Sequence, residues 1–238
     1  MAFIEMELFS DAIGIMTSVN VIIPENAKEP PAVLYLLHGL SDDQSCWTRR
    51  TSIERYVMNK NLAVIMPTTY RGYYTDMANG YRYWTYISEE LPRKMHSVFR
   101  LSDKREKTFA AGLSMGGYGA LKLGLRCPDR FAAVAGFSSA ADMRRAVAAS
   151  DEHIRVFGTE LAEENDLFAL AEKLQGKQNP RFYMWCGTED FLLEGNRCFS
   201  DHLKKLGFDI DYSESAGGHS WDRWDEQIEK ALEWFGIE

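Results

Sequence analysis

The chain has little positive charge and no long apolar run. Its 238 residues carry 27 Lys and Arg against 35 Asp and Glu, which gives a net charge of -8. No basic stripe is present to neutralise phosphates, so a nucleic-acid partner is not expected. No apolar run approaches the roughly 20 residues that cross a bilayer. Glu5 and Glu7 interrupt the apolar N-terminal stretch, which lacks the basic region of a secretory signal. We therefore expect a cytoplasmic protein without a membrane segment.

Cysteine is also scarce. The four cysteines are scattered without a Cys-x-x-Cys pair, so neither a zinc site nor a disulfide framework is indicated. Reduced and mostly buried thiols fit the same compartment. With 45% hydrophobic residues, the chain is long enough to bury one large core, and we expect a single domain over residues 1–238.

What the chain does have is a strand, a tight turn and a helix within residues 108–123. A short apolar run breaks at Gly112, Ser114 and Gly116, and apolar residues then recur at helical spacing. Glycines two residues either side of the serine let the strand and helix backbones pass close together. The serine can then occupy a strained turn with its hydroxyl exposed, which makes Ser114 the candidate nucleophile.

The rest of the chain alternates between predicted strands and helices. Apolar runs predict buried strands at residues 32–37, 62–66, 131–137, 181–186 and 208–212, and alternating patterns predict an antiparallel pair from residues 4–8 and 17–23. Helices are predicted at residues 51–59, 88–100, 166–174, 196–206 and 222–235. Thr51 and Glu54 would form a capping box, residues 42–50 a polar loop, and Asn165 the N-cap of the helix at 166–174. This order predicts an α/β fold with a mostly parallel sheet flanked by helices.

Residues 140–179 interrupt this alternation. The segment is polar and charged, with only the helix at 166–174 clear in its pattern. A connection this long at the carboxyl ends of the strands is either an insertion that covers the site or an ordinary surface loop. We predict a small cap-like insertion there.

Three polar side chains follow predicted strands in the order nucleophile, acid, base. Ser114, Asp190 and His219 each stand just after a strand, where an open α/β sheet builds its site. A serine hydroxyl is a poor nucleophile at neutral pH and needs an imidazole to take its proton. An acid must hold that imidazole in the right tautomer. Asp190 fits by its place after a strand, with Glu189 and Asp166 as rivals.

The site also needs groups that hold the developing oxyanion and the substrate. Backbone N–H groups of Leu40, in the turn after the strand at 32–37, and of Met115, after the nucleophile, are the candidate donors. The side chain of His38 is expected to fix that turn rather than to move protons. Aromatic residues are concentrated in residues 67–86, where they either roof the core or line an acyl or aryl pocket. The substrate-binding residues we expect are Trp47, Tyr73 and Trp221.

Together these motifs resemble the esterase D-like branch of the α/β-hydrolases, in particular bacterial tributyrin and acetyl esterases. The motifs that carry the resemblance are Gly-Leu-Ser-Met-Gly-Gly at 112–117, Trp-Cys-Gly-Thr-Glu-Asp-Phe-Leu at 185–192 and Gly-Gly-His-Ser-Trp at 217–221. The resemblance runs from the first strands to the last helix. It implies the α/β-hydrolase fold, hydrolysis of short-chain acyl esters, Ser114, Asp190 and His219 as the catalytic positions, and oxyanion donors at Leu40 and Met115.

The resemblance sets the expected activity and its alternatives. We expect a serine carboxylesterase that acts on small acetyl to butyryl esters and needs neither a metal nor an organic cofactor. Feruloyl esterases, S-formylglutathione hydrolases and mycolyltransferases are relatives, so feruloyl-ester hydrolysis, thioester hydrolysis and acyl transfer to an acceptor other than water are the alternatives. Leu113 and Tyr118 stand where the formylglutathione enzymes carry histidines, and this difference argues against thioester hydrolysis. The resemblance also makes a homo-oligomer plausible.

Overall fold

One twisted eight-stranded sheet organises the molecule. The structure is a computed structural model that describes residues 1–144, 146–147 and 150–237. The strands are β1 (Ala2–Ser10), β2 (Ile15–Ile23), β3 (Ala32–Leu37), β4 (Leu62–Pro67), β5 (Thr108–Leu113), β6 (Ala133–Phe137), β7 (Arg181–Gly187) and β8 (Ile210–Ser215). They lie in the order β1-β2-β4-β3-β5-β6-β7-β8. β1 and β2 pair antiparallel, β2 pairs antiparallel with β4, and the six strands from β4 to β8 are parallel.

Helices connect the strands and cover both faces of the sheet. They are α1 (Cys46–Arg50), α2 (Ile53–Val57), α3 (Tyr83–Thr85), α4 (Leu91–Val98), α5 (Met115–Arg126), α6 (Asp151–Phe157), α7 (Leu167–Leu174), α8 (Leu193–Lys205) and α9 (Trp221–Phe235). A π-helical turn, Tyr86–Glu90, joins α3 to α4, and short 3-10 turns lie at Arg105–Lys107 and Glu163–Asn165. The predicted α/β architecture and the antiparallel pair at the sheet edge are confirmed.

The two core layers follow from the alternation of side chains along the central strands. Along β3, Val33, Tyr35 and Leu37 pack in the layer that holds α4, α5, α7 and α8. Leu34 and Leu36 point the other way, into the layer that holds α2 and α9. Every residue of β3 and β4 is buried, as the continuous apolar runs predict for strands covered on both faces.

Some local predictions are wrong. The stretch at 42–50 is not a plain loop but contains α1, and Thr51 ends that helix instead of opening the next one. Its hydroxyl donates to the Trp47 carbonyl at 2.5 Å and accepts from the Ile53 N–H at 3.2 Å, so it is not the cap of a capping box. The N-cap of α7 is Asp166, not Asn165, because the Asp166 carboxylate accepts from the Phe168 N–H at 3.0 Å.

The predicted cap holds one helix more than its pattern indicated. α6 begins after Ser150, whose hydroxyl accepts from the His153 N–H at 3.2 Å, and ends at Gly158 with a φ of +83°. α6 contacts the aromatic loop, residues 67–86, where the Ala78 N–H donates to the Val156 carbonyl at 2.8 Å, and α7 packs against α5. Residues 145, 148 and 149 of the predicted cap lie outside the described residues. Within the part of the chain that the structure describes, no helix is long and apolar enough to cross a membrane.

Candidate active site

Ser114 lies on a sharp turn between β5 and α5. Its φ of +54° is one that residues other than glycine rarely adopt and that costs roughly 1–3 kcal/mol. Backbone hydrogen bonds hold the turn: Ser114 N–H donates to the Phe137 carbonyl at 2.8 Å, and Ala140 N–H donates to the Ser114 carbonyl at 3.0 Å. The neighbouring strand β6 and the chain after it therefore hold the strained residue in place.

The two glycines of the motif allow the close approach that this turn needs. A Cβ at Gly112 would collide with the backbone of Gly116, and a Cβ at Gly116 would lie 2.6 Å from the His38 carbonyl oxygen and closer still to that of Leu37. The start of α5 thus packs directly against the ends of β3 and β5. The glycine spacing predicted the close approach of β5 and α5, but not the contact with the end of β3.

Ser114, His219 and Asp190 form one continuous hydrogen-bonded chain. The Oγ of Ser114 lies 3.0 Å from Nε2 of His219, and Nδ1 of His219 lies 2.8 Å from Oδ2 of Asp190. A carboxylate can only accept, so Nδ1–H donates to Asp190 and Nε2 is left to accept the serine proton. The structure brings together the three side chains that the sequence predicted to meet, although 105 residues separate the serine from the histidine.

Asp190 is buried yet held as an anion. Its side chain has no exposed surface, whereas that of His219 is 21% exposed. Burial by itself raises the pKa of Asp190, but hydrogen bonds from the His219 ring, from the Leu192 N–H at 2.9 Å and from Ser138 outweigh it, so its pKa lies below the ordinary value. An ionised acid at this position can stabilise an imidazolium on His219.

The two rival carboxylates serve other groups. Glu189 accepts a hydrogen bond from the Gly217 N–H, in the loop that leads to His219. Asp166 caps α7 through the Phe168 N–H. Among the residues that the structure describes, Asp190 and not Glu189 or Asp166 is the carboxylate paired with the His219 ring.

Two buried side chains, His38 and Trp47, hold the turn after β3. His38 is buried; its Nε2 accepts from the Thr69 N–H at 3.0 Å and its Nδ1–H donates to the Gly39 carbonyl at 2.7 Å. Burial lowers the pKa of His38, in keeping with a neutral ring that holds the turn. Trp47, only 1% exposed, donates its indole N–H to the Leu37 carbonyl at 3.0 Å. Trp47 therefore supports the turn from the core and does not present a surface to substrate.

The two residues whose backbone N–H groups were predicted to hold the oxyanion lie near the serine: Met115 follows it, and a Cβ at Gly39, next to Leu40, would lie 3.6 Å from the Ser114 Cβ. Leu40 is half-buried in the turn that His38 braces, and Met115 is the first residue of α5. The first N–H groups of a helix lack an intrahelical partner, and they carry the positive end of the helix dipole. A negatively charged oxygen next to Ser114 would meet this end of the helix.

The other predicted substrate-binding aromatics differ in exposure. Tyr73 is 5% exposed and packs edge-on against Tyr118 and Phe157, with its hydroxyl 3.2 Å from Nε2 of His153 on α6. It therefore joins the aromatic loop to α6. Trp221 is half-buried, with its ring centroid 5.2 Å from that of Trp47.

Sequence reasoning missed two aromatic neighbours of His219. Trp224 packs edge-on with its ring centroid 4.8 Å from that of His219, and its indole N–H donates to Ser138 Oγ at 3.1 Å. Phe191 places its ring 4.6 Å from the His219 ring and is 77% exposed. A large apolar residue directly after Asp190, inside a polar turn, was the available signal.

A mostly parallel sheet of this order, with a serine on a strained strand-to-helix turn, defines an α/β-hydrolase fold. The model of the family described as "Putative esterase" matches residues 10–235. An acetyl esterase of Caldicellulosiruptor saccharolyticus is 34% identical over 98% of both chains. The chain belongs to this esterase family, as the resemblance predicted.

Solved structures agree with this assignment. The fluorophosphonate-binding serine hydrolase F of Staphylococcus aureus, solved with substrate bound, superposes with a TM-score of 0.92 at 34% identity over 98% of both chains. An S-formylglutathione hydrolase of Staphylococcus aureus gives a TM-score of 0.90 at 33% identity, again over 98% of both chains. The protein is a serine hydrolase of the carboxylesterase type, and its substrates are small-molecule esters.

Proposed function

We propose that the protein hydrolyses short-chain acyl esters, acetyl to butyryl, through an acyl-enzyme on Ser114. The observation that carries the proposal is the hydrogen-bonded chain from Ser114 Oγ through the His219 ring to Asp190, at 3.0 and 2.8 Å. Such a chain makes a hydroxyl nucleophilic without a metal, because the imidazole takes the proton as the new bond forms.

The reaction proceeds in two halves. Ser114 Oγ attacks the ester carbonyl carbon as its proton passes to Nε2 of His219, and the N–H groups of Leu40 and Met115 hold the resulting oxyanion. His219 then gives that proton to the alcohol oxygen, the bond from carbon to that oxygen breaks, and the acyl group stays on Ser114. In the second half, water gives a proton to Nε2 of His219 as its oxygen attacks the acyl carbon. His219 then passes that proton to Ser114 Oγ as the bond from the acyl carbon to Oγ breaks, which releases the carboxylic acid and restores the serine hydroxyl.

The charge of Asp190 has one part in this sequence. Its lowered pKa keeps it ionised at neutral pH, so it stabilises the imidazolium that forms twice in each turnover. It remains a carboxylate throughout and takes up no proton. Glu189 and Trp47 form hydrogen bonds with the loop and turn backbone and have no part in the proposed bond-making steps.

The acyl preference is proposed from the relatives. A 34% identical acetyl esterase supports a short acyl group. Thioester hydrolysis is the second candidate, because an S-formylglutathione hydrolase is 33% identical over nearly the whole chain. By the family resemblance, Tyr118 stands where the formylglutathione enzymes carry a histidine. Here Tyr118 is buried and its hydroxyl donates to the Asn165 carbonyl at 2.8 Å, so this hydroxyl is not available to a thiol ester.

A substrate series tests both parts of the proposal. We expect kcat/KM for p-nitrophenyl esters to be highest from acetyl to butyryl and to fall for longer chains, with feruloyl esters and S-formylglutathione slower. Clear preference for a long-chain, feruloyl or formyl-thioester substrate would contradict the short-chain assignment. New esters formed on addition of alcohols or sugars, at the expense of hydrolysis, would indicate acyl transfer.

Two variants test the role of Ser114. Ser114→Ala should lower kcat by about 10⁶, and His219→Ala by nearly as much, with the double variant no worse than either. Ser97→Ala, at an exposed position on α4, is the matched control and should behave as wild type. A fluorophosphonate probe should label wild type and the control but not Ser114→Ala. Wild-type turnover by Ser114→Ala would refute the mechanism.

A further inference from the structure

The ring of Phe191 is the most exposed large apolar side chain in the described part of the chain. It is 77% exposed, whereas the next, Val98, is 59% exposed. Scattered exposed apolar residues need no explanation. This one does, because its ring lies against that of His219, with 4.6 Å between the ring centroids and 49° between the ring planes.

The backbone around Phe191 is fixed on both sides. Asp190 N–H donates to the Gly187 carbonyl at 3.1 Å, and Leu193 N–H donates to the Asp190 carbonyl at 3.1 Å as α8 begins. Leu192 N–H donates to the Asp190 carboxylate at 2.9 Å. The exposed ring is therefore carried on a rigid turn and not on a loose loop, so it offers a preformed apolar surface at low entropic cost.

The chemistry of acylation decides which part of a substrate meets this surface. In the proposed reaction, His219 must pass its proton from Nε2 to the oxygen of the leaving alcohol, so that oxygen comes within hydrogen-bond distance of Nε2. The first atoms of the alcohol beyond that oxygen then lie beside the His219 ring. The ring of Phe191 contacts the same His219 ring, with 4.6 Å between their centroids, while the acyl carbon is bonded to Ser114 in the proposed reaction.

We propose that Phe191 and the His219 ring form a subsite for the alcohol portion of the ester, and that it favours uncharged apolar or aromatic alcohols. This inference rests on the proposed function, because it uses His219 as the proton donor to the leaving group. An aromatic alcohol can pack against Phe191, and such ring pairs contribute beyond the area that they bury. A methyl group in the same place reaches little of that ring.

The test compares two acetate esters. Benzyl acetate and methyl acetate share the acetyl group and release alcohols of similar basicity, so both make the same demand on the proton donor. They also form the same acetyl-enzyme, so deacylation cannot alter the ratio of their kcat/KM values. In Phe191→Ala we expect the benzyl-to-methyl ratio of kcat/KM to fall by about tenfold, and in Phe191→Leu by less, because part of the apolar surface remains.

Phe9→Ala is the matched control, since Phe9 is also an exposed aromatic, 50% exposed on edge strand β1. It should keep the wild-type ratio. If Phe191 only supported the His219 ring, Phe191→Ala would lower kcat/KM for both acetate esters by the same factor and would shift the pH profile of kcat/KM. An unchanged ratio in Phe191→Ala overturns the subsite. Failure of the proposed function is seen separately, as retained turnover of both esters in Ser114→Ala.

Discussion

Glu189 and Gly217 are joined by a reciprocal pair of hydrogen bonds. The Gly217 N–H donates to the Glu189 carboxylate, and the Glu189 N–H donates to the Gly217 carbonyl at 3.1 Å. The first residue adjoins Asp190 after β7, and the second precedes His219 by two positions after β8. The distance between the acid and the imidazole is thus set by their neighbours as well as by their own contact.

Removal of the Glu189 carboxylate should therefore loosen the site without unfolding the protein. The Gly217 N–H holds the pKa of Glu189 below its usual range, so the carboxylate is ionised at neutral pH. We expect Glu189→Ala to lower kcat/KM for p-nitrophenyl acetate by about tenfold, because small misplacements of catalytic groups are costly. Glu189→Gln keeps an oxygen that can accept from Gly217 and should stay near wild type. Equal activity in the two variants would show that the contact does not position His219.

Gly116 gives a second prediction. A Cβ at this position would lie 2.6 Å from the His38 carbonyl oxygen and even closer to that of Leu37, and neither backbone group can move freely. We expect Gly116→Ala to lower the free energy of unfolding in urea by about 1–3 kcal/mol. Gly195→Ala is the control: its nearest neighbour would be Asp142 Cβ at 3.6 Å, and alanine in α8 should stabilise by roughly 0.5–1 kcal/mol. Wild-type stability for Gly116→Ala would refute the close-packing argument.

The fold and the three meeting side chains were predictable because both depend on local patterns. β3 and β4 are buried on both faces and so read as continuous apolar runs. The carboxyl ends of parallel strands share one edge of the sheet, which brings Ser114 and the loops after β7 and β8 together. A strand, a turn with glycines at fixed spacing and a helix were sufficient to locate the serine.

Features that depend on distant contacts were not predictable. Lys122 lies among apolar residues of α5, yet it is fully buried and donates to the Tyr74 carbonyl, Thr75 Oγ1 and Asn165 Oδ1. Its partners are 43 to 48 residues away in sequence, so only the tertiary structure shows that it joins α5 to the aromatic loop and to the 3-10 turn at Glu163–Asn165. Trp47 was predicted to bind substrate, but it is only 1% exposed and its indole N–H donates to the Leu37 carbonyl at 3.0 Å, so it lies in the core.

Asp190→Asn should separate the acid's part in catalysis from its part in stability. We expect kcat to fall by about 10⁴. Hydrogen bonds outweigh burial and hold the pKa of Asp190 below its ordinary value, so the carboxylate stabilises the fold above its unfolded-state pKa and this contribution is lost as the pH falls through its folded-state pKa. In urea titrations, the free energy of unfolding of wild type should therefore exceed that of Asp190→Asn at pH 7. This difference in free energy should narrow as the pH is lowered from about 5 to about 2. A difference in free energy of unfolding that stays constant over that pH range would mean that the charge of the carboxylate does not stabilise the fold.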